Sequence, residues 1–345
     1  MASRKDNDSG IAAPRETAEL FGHGEAERTL LDAYRSGRIA HAWLIGGARG
    51  IGKATLAYRM ARFVLANPVA SMPAVAKATS LAVEAGHPVA RQVASGAHGG
   101  LLTLERTAND KGVLRSVITV AESRETISFF GSTAAVDGWR VCIVDTVDEL
   151  NDNAANALLK IIEEPPARSL FLLVSHAPQR VLATIRSRCR KLNLRPLEES
   201  DVIRAAALAT GRSENDPELV ETAAAAGGSA GHAIELMGGK TLGLQKQTAA
   251  LLDGLPKLDP RALHALGDQL PLNDRAALGA VIDSIDRWMS EKLHRDDVSA
   301  NLPRLARLAE VWEKIVNDAR ETEAYNLERK PLVFSAFGML AEATR

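Results

Sequence analysis

The chain has 345 residues, of which 46% are hydrophobic and 25% are charged, a composition typical of a globular protein with a substantial core. Its 42 basic and 43 acidic side chains leave a formal net charge of -1, which argues against strong overall attraction to nucleic acid. Two cysteines, Cys142 and Cys189, exclude a disulfide framework, and no apolar run approaches the length of a membrane span. We therefore expect a cytoplasmic protein of two or three domains.

The first hundred residues predict a tail, two strands and one helix. Residues 1–17 are polar and non-periodic, so a disordered tail is expected. Residues 41–45 form a short apolar run that ends in glycines, which predicts a buried strand. The segment 56–66 predicts a helix that stops near Pro68. Residues 69–100 have little periodicity and are interpreted as an insertion before a second candidate strand at 101–104.

Two continuous apolar segments follow, at residues 140–144 and 170–174. Such runs are typical of parallel strands that are covered on both faces. Between them, Asn151 is a candidate N-cap for a helix over residues 154–162, which Pro165 would end. The alternation of strands and helices over residues 18–195 predicts an α/β domain with a doubly wound parallel sheet.

The character of the chain changes after Pro196, where Ala, Leu, Glu and Arg recur at helical spacing. Glycines interrupt this pattern at Gly211, Gly227-Gly228 and Gly238-Gly239. We predict a small helical domain over residues 196–242 and a second helical domain over residues 243–345.

A glycine-rich loop, GGARGIGKAT over residues 46–55, lies between the first predicted strand and helix. Gly47, Gly52 and Lys53 fit the P-loop pattern G-x-x-x-x-G-K-[ST], whose backbone N–H groups bind phosphate at a helix N-terminus. Ala54 replaces the Ser or Thr whose hydroxyl holds Mg²⁺, and Thr55 lies about 100° further round the helix. The candidate nucleotide-binding residues are Gly47, Gly50, Gly52, Lys53, Thr55 and Asp145.

The same loop also resembles the dinucleotide fingerprint of short-chain dehydrogenases. That interpretation requires an acidic residue about 20 positions further on, and none occurs between Lys53 and Glu84. It also requires a tyrosine followed four residues later by lysine, and each of the three tyrosines is followed there by arginine. The stretch 227–231 fits G-x-S-x-G but lacks the strand–turn–helix context of a nucleophile elbow, so a turn between helices is expected.

The strand at residues 141–145 has the form of a Walker B motif, an apolar run that ends in Asp145. An NTPase uses this aspartate for Mg²⁺ and a following acid to orient water. Here the next residue is Thr146, and we expect the later acids Asp148 and Glu149 to point elsewhere.

The sequence NALLKIIEEPP at residues 156–166 and the sequence SRC at residues 187–189 complete a specific series of motifs. Together with the P-loop and the Walker B strand, they resemble bacterial clamp-loader subunits of the AAA+ class over roughly residues 18–240. The stretch NLERK at residues 326–330 is similar to the last domain of the same family. The resemblance implies an AAA+ P-loop domain, a helical lid domain and a C-terminal helical collar that closes a ring of subunits.

Within this family, degraded ATPase motifs beside an intact S-R-C resemble the delta-prime branch. The resemblance implies that Arg188 acts in trans as an arginine finger on the ATP of a neighbouring gamma/tau subunit. It also implies gamma/tau and delta subunits as partners, with the beta sliding clamp and primed DNA reached through the complex. An ATP-hydrolysing gamma/tau-like motor is the alternative, and a short-chain dehydrogenase is a remote third.

Cofactor use follows from the same comparison of motifs. Gly231 stands where active relatives carry a phosphate-binding arginine in Gly-Ser-x-Arg. Residues 66–112 contain no cysteine, so the zinc site of many relatives is not expected. We expect no required cofactor and no metal site, with at most weak binding of ATP or ADP. Whether the chain itself is an enzyme, as part of a DNA-directed DNA polymerase assembly, stays open here.

Overall fold

One five-stranded parallel sheet organises the first part of the chain. The computed structural model describes residues 11–107, 117–118, 120–131, 138–237, 240–272, 274–295, 302–325 and 327–344. The strands in chain order are β1 (Ala42–Gly46), β2 (Leu101–Glu105), β3 (Arg140–Asp145), β4 (Ser169–Ser175) and β5 (Arg190–Asn193). Their spatial order is β2-β3-β4-β1-β5, and every pair is parallel.

The first seven described helices cover the two faces of this sheet, and three further helices follow its last strand. In chain order they are α1 (Gly24–Arg35), α2 (Lys53–Ala66), α3 (Pro73–Lys77), α4 (Pro88–Ala94), α5 (Val120–Gly131), α6 (Asp152–Glu163), α7 (Ala183–Arg186), α8 (Glu199–Thr210), α9 (Pro217–Ala225) and α10 (Ala230–Leu236). A 3-10 turn at Val147–Glu149 precedes α6.

The strand side chains alternate between two separate cores. Trp43 and Ile45 of β1 pack in a core that includes Leu56 of α2. Leu44 of the same strand packs in the opposite core with Leu158 of α6. The predicted doubly wound α/β fold is therefore confirmed, and the carboxyl ends of the strands carry the loops of interest.

The local predictions agree with these elements and miss several others. Helix α2 starts at Lys53, three residues before the predicted start, and α6 is capped as expected, because Asn151 Oδ1 accepts from Ala154 N at 2.8 Å. The interpreted insertion contains α3 and α4. The sequence did not predict α1, α5 or β5.

Part of the predicted N-terminal tail is anchored to the sheet domain. Ala12 N donates to Ala209 O at 3.2 Å, and the Arg62 guanidinium donates to Thr17 O at 2.6 Å. The prediction of a disordered tail was therefore wrong for residues 11–17, since these bonds fix the segment against α2 and α8. Residues 1–10 lie outside the described part of the chain.

The chain divides into two compact units, Met1–His232 and Ala233–Arg345. The second unit contains α11 (Lys240–Asp253), α12 (Pro260–Asp268), α13 (Arg275–Arg295), α14 (Leu302–Ala324) and α15 (Arg329–Ala343). Its core includes Leu266, Ile285, Ile315 and Phe337. The three-domain division with boundaries at 195 and 242 stays a prediction.

A buried arginine joins two parts of the second unit. Arg329, at the start of α15, donates to the carbonyl oxygens of Pro271 at 2.6 Å, Leu272 at 2.8 Å and Asp274. It belongs to the NLERK stretch, of which Asn326 lies outside the described residues, as does the predicted interruption at 238–239.

Among the described helices, none is long and apolar enough to cross a membrane.

Candidate functional site

The loop between β1 and α2 keeps the backbone shape of a phosphate-binding loop. Gly50 has a φ of 74° and Gly52 has a φ of 99°, both in the left-handed region that favours glycine. Gly52 is also the N-cap residue of α2. The loop therefore ends at a helix N-terminus with free backbone N–H groups, as the sequence predicted.

Lys53, the first residue of α2, is turned onto its own loop. The residue is 3% exposed, and Nζ donates to Gly47 O at 2.8 Å and to Ala48 O. Burial lowers the pKa of Lys53 to about 8, while the charges of Asp145 and Asp148 oppose that shift. The ammonium is thus engaged by loop carbonyls and lies in the field of two carboxylates.

The metal-binding half of the site is incomplete. Asp145 ends β3 as predicted, and burial raises the pKa of its carboxyl, while Lys53 and Arg106 act in the opposite direction. Ala54 presents a methyl group in place of a hydroxyl, so the loop offers no oxygen ligand at that position. These residues fit a bound phosphate better than they fit a nucleotide with Mg²⁺.

The later acids Asp148 and Glu149 lie within electrostatic range of this cluster, but their carboxylates bond to other groups. The charge of Asp148 acts on Lys53, and burial raises the pKa of Glu149, assisted by the charges of Asp145 and Asp148. Both carboxylates are nevertheless engaged. Asp148 accepts from Ser175 Oγ at 2.8 Å and from the backbone N of residue 176 at 2.5 Å.

Glu149 forms an ion pair with Arg106, in which Arg106 Nε lies 2.9 Å from Glu149 Oε2. Thr146, which follows Asp145, is buried, and its hydroxyl has no partner among the described residues. A carboxylate able to orient an attacking water therefore does not follow Asp145 directly.

The turn at residues 227–231, expected to join two helices, does so and also closes over the loop. Ser229 Oγ donates to Arg49 O at 2.9 Å and accepts from His232 N at 3.1 Å, which caps α10. Gly231 N donates to Gly50 O at 2.9 Å. The backbone of Gly231 therefore covers the phosphate loop, and this is the position at which the sequence lacks a phosphate-binding arginine.

Arg188 lies on the surface between α7 and β5. Its guanidinium donates from Nη1 to Thr184 O at 2.9 Å and to Ser187 Oγ at 3.3 Å, and Nη2 lies 2.7 Å from Glu163 Oε1. All three contacts are outside the P-loop. The structure therefore gathers Gly47, Lys53 and Asp145 in one cluster and leaves Arg188 on its own.

The surroundings of Arg188 are basic. Arg180, Arg190, Lys191 and Arg195 are exposed on the same stretch of chain, whereas Arg186 donates to Gln179 O at 2.7 Å. Cys189 is buried, and burial raises the pKa of its thiol to about 12. The cysteine of S-R-C therefore packs in the core while the arginine faces solvent.

Sequence reasoning missed three contacts of the candidate sites. Glu163 pairs with Arg188, and no spacing in the sequence predicts this contact. His23 bonds to Ile51 O at 2.6 Å, and the backbone contact of Gly231 with Gly50 has no signal in the sequence beyond the two glycines.

Comparison with known proteins decides the family. The family model described as DNA polymerase III, delta subunit, matches residues 22–198, just over half of the chain. The chain belongs to this family. The match covers the whole sheet, the P-loop and S-R-C, so the predicted kinship with bacterial clamp-loader subunits of the delta-prime type is confirmed.

Individual relatives include subunits of both the delta' and the tau/gamma type. The chain is 30% identical to DNA polymerase III subunit delta' of Pseudomonas aeruginosa over 224 residues, 64% of this chain and 61% of that protein. It is 36% identical to subunit delta' of Escherichia coli K12 over 171 residues, 49% of this chain and 47% of that protein. Subunit tau/gamma of Haemophilus influenzae is 27% identical over 89% of this chain and 40% of its own length. The chain thus spans about half the length of these relatives.

Proposed function

We propose that this chain is the delta-prime-type subunit of a DNA polymerase III clamp loader, and that it supplies Arg188 to the ATP of a neighbouring subunit. The observation that carries the proposal is the contrast between two sites. Arg188 is at the surface with its guanidinium in a basic stretch, whereas Lys53 is buried and bonded to its own loop. The chain therefore presents the Arg188 guanidinium at its surface, whereas its own nucleotide site lacks groups that hydrolysis requires.

An arginine presented from outside stabilises the charge that develops on a transferring phosphoryl group. Such fingers accelerate hydrolysis by about 10³ to 10⁵. The guanidinium suits this task because it is planar, always charged and able to donate two parallel hydrogen bonds to phosphate oxygens. Arg188 meets the requirement for access, since it follows a short helix at the surface and precedes the edge strand β5.

The chain's own loop supports binding of phosphate at most and does not support hydrolysis. Ala54 lacks the metal-binding hydroxyl, Thr146 replaces the acid after Asp145, and Gly231 replaces the phosphate-binding arginine. In a working NTPase, each such group stabilises the transition state electrostatically by several kcal/mol. ATP or ADP would bind weakly and would not be required, and the proposal includes no zinc.

The partners in this proposal are the gamma/tau and delta subunits. The sliding clamp and primed DNA would be reached through the assembled complex, in the cytoplasm. The formal net charge of the chain is -1, so its overall charge does not favour independent binding to DNA.

One experiment separates this proposal from a gamma/tau-like motor, and a second tests the proposed partners. The purified chain is incubated with ATP and Mg²⁺, and we expect no turnover above that of a sample lacking protein. Substantial hydrolysis by the isolated chain would instead support the motor. Co-purification from the native host should then recover gamma/tau and delta subunits with this chain, and their absence would contradict the proposal.

A further inference from the structure

Glu163, the last residue of α6, holds the Arg188 guanidinium in a defined place. The carboxylate Oε1 lies 2.7 Å from Nη2, while Nη1 bonds to Thr184 O and Ser187 Oγ. Three protein groups therefore fix the position of a side chain that would otherwise sample many rotamers at the surface. Ordering such a side chain costs conformational entropy, which these contacts offset.

The location of Glu163 is unfavourable for its own helix. A negative charge in the last turn of a helix is opposed by the partial negative charge of the unpaired carbonyl groups. Lys160 is the basic residue of that turn, and Glu163 forms an ion pair with Arg188 instead. A carboxylate at this position therefore does not stabilise the helix, but it does pair with Arg188.

The pair is also weak enough to exchange. The side chains of Arg188 and Glu163 are 39% and 41% exposed, and ion pairs at such positions contribute little to stability. Hydrogen bonds from a guanidinium to phosphate are charge-assisted on both sides and can be bidentate. A triphosphate that approaches the pair therefore competes successfully with one carboxylate oxygen.

We propose that Glu163 is a positioning residue for Arg188: it orients the guanidinium in the free subunit and releases it to a neighbouring subunit's triphosphate. The inference rests on the proposed function of Arg188. Its effect is on the rate of the neighbour's hydrolysis, because preorganisation of a charged donor lowers the barrier without altering how the nucleotide binds.

The test uses the complete reconstituted loader and compares Glu163→Gln with Glu164→Gln. Glu164 is the adjacent exposed glutamate, so the control removes the same charge and leaves the Glu163–Arg188 ion pair in place. In single-turnover hydrolysis, Glu163→Gln should slow the phase that depends on Arg188 roughly two- to fivefold, and the ATP concentration that gives half the maximal rate should stay unchanged. Glu164→Gln should leave that phase unchanged, and neither variant should lower the unfolding temperature.

The double variant Glu163→Gln with Arg188→Ala distinguishes positioning from a general structural effect. If Glu163 acts through Arg188, the double variant should hydrolyse no more slowly than Arg188→Ala alone. A further loss in the double variant, or an unchanged or faster rate in Glu163→Gln, would overturn the positioning role. An Arg188→Ala loader with unchanged hydrolysis would instead overturn the proposed function itself, so the two failures are distinct.

Discussion

Gly231 and Gly50 meet through their backbones, and neither position has room for a side chain. Gly231 N donates to Gly50 O at 2.9 Å, and a Cβ on Gly231 would lie 2.9 Å from Gly50 Cα. A Cβ on Gly50 would lie 2.4 Å from Ser229 Oγ. An arginine at position 231 is therefore incompatible with this packing, as well as being absent from the sequence.

Replacement of Gly231 should destabilise the first unit. In Gly231→Ala, the added methyl group has to displace the backbone of the phosphate loop, and we expect a loss of about 1–3 kcal/mol in the free energy of unfolding. The matched control is Gly24→Ala at the start of α1, where nothing lies within 4 Å of the added Cβ. Denaturant unfolding measures both, and equal stabilities would contradict the close contact.

The buried ammonium of Lys53 predicts a pH-dependent stability. Its pKa falls from 10.5 in the ordinary state to about 8 in the folded chain, mainly through burial. Between these pH values the unfolded chain binds more protons than the folded one, so the folded state gains stability as the pH rises. The gain should reach at most about 3 kcal/mol.

A comparison with Lys53→Met isolates this effect from other groups that titrate in the same range. The stability difference between the two proteins should be constant below pH 8 and should shift in favour of the unmodified chain up to pH 10.5. Thermal unfolding at a series of pH values measures it. A difference that stays flat through this range would mean that Lys53 is solvated in the folded protein.

Removal of the Lys53 side chain should have little effect on the loader. Because the ammonium is bonded to Gly47 O and Ala48 O, Lys53→Ala removes contacts within the loop and no step of the neighbour's hydrolysis. We expect clamp loading and ATP hydrolysis by the reconstituted complex to stay near the unmodified rate. A loss as large as that of Arg188→Ala would show that the loop is a working nucleotide site.

Arg329 should be essential to the second unit. Arg329→Ala leaves three carbonyl oxygens without their donor in a buried position, and we expect a loss of about 2–4 kcal/mol in stability. Arg329→Lys should recover little, because an ammonium cannot span the same fork of acceptors. The control Lys330→Ala removes an exposed pair with Asp268 and should unfold close to the unmodified protein in a calorimetric scan.

The sequence predicted the elements that carry continuous apolar runs or clear caps. β1 and β4 are buried along their whole length, and β3 is buried except at its two end residues, so these continuous apolar runs were distinctive enough to predict. β5 was missed because it is a four-residue edge strand in which Leu192 is the buried residue. Helix α1 was missed although Ala26, Leu30 and Tyr34 follow helical spacing.

The candidate sites show the same limit. Motifs located Gly47, Lys53, Asp145 and Arg188, since each stands at a fixed place relative to a strand or helix. The partners of these residues depend on tertiary contacts between distant segments, such as Arg188 with Glu163 and Gly231 with Gly50. No spacing in the chain encodes those distances, so the pairing could not be predicted.

The most direct test of the account is single-turnover ATP hydrolysis by a loader that contains Arg188→Ala, compared with one that contains Arg186→Ala. Arg186 is the nearby arginine whose guanidinium bonds to the Gln179 carbonyl. We predict that Arg188→Ala slows hydrolysis at the neighbouring site by about 10³ or more, while assembly and folding are retained and Arg186→Ala has no effect. Equal hydrolysis rates in the two loaders would contradict the account.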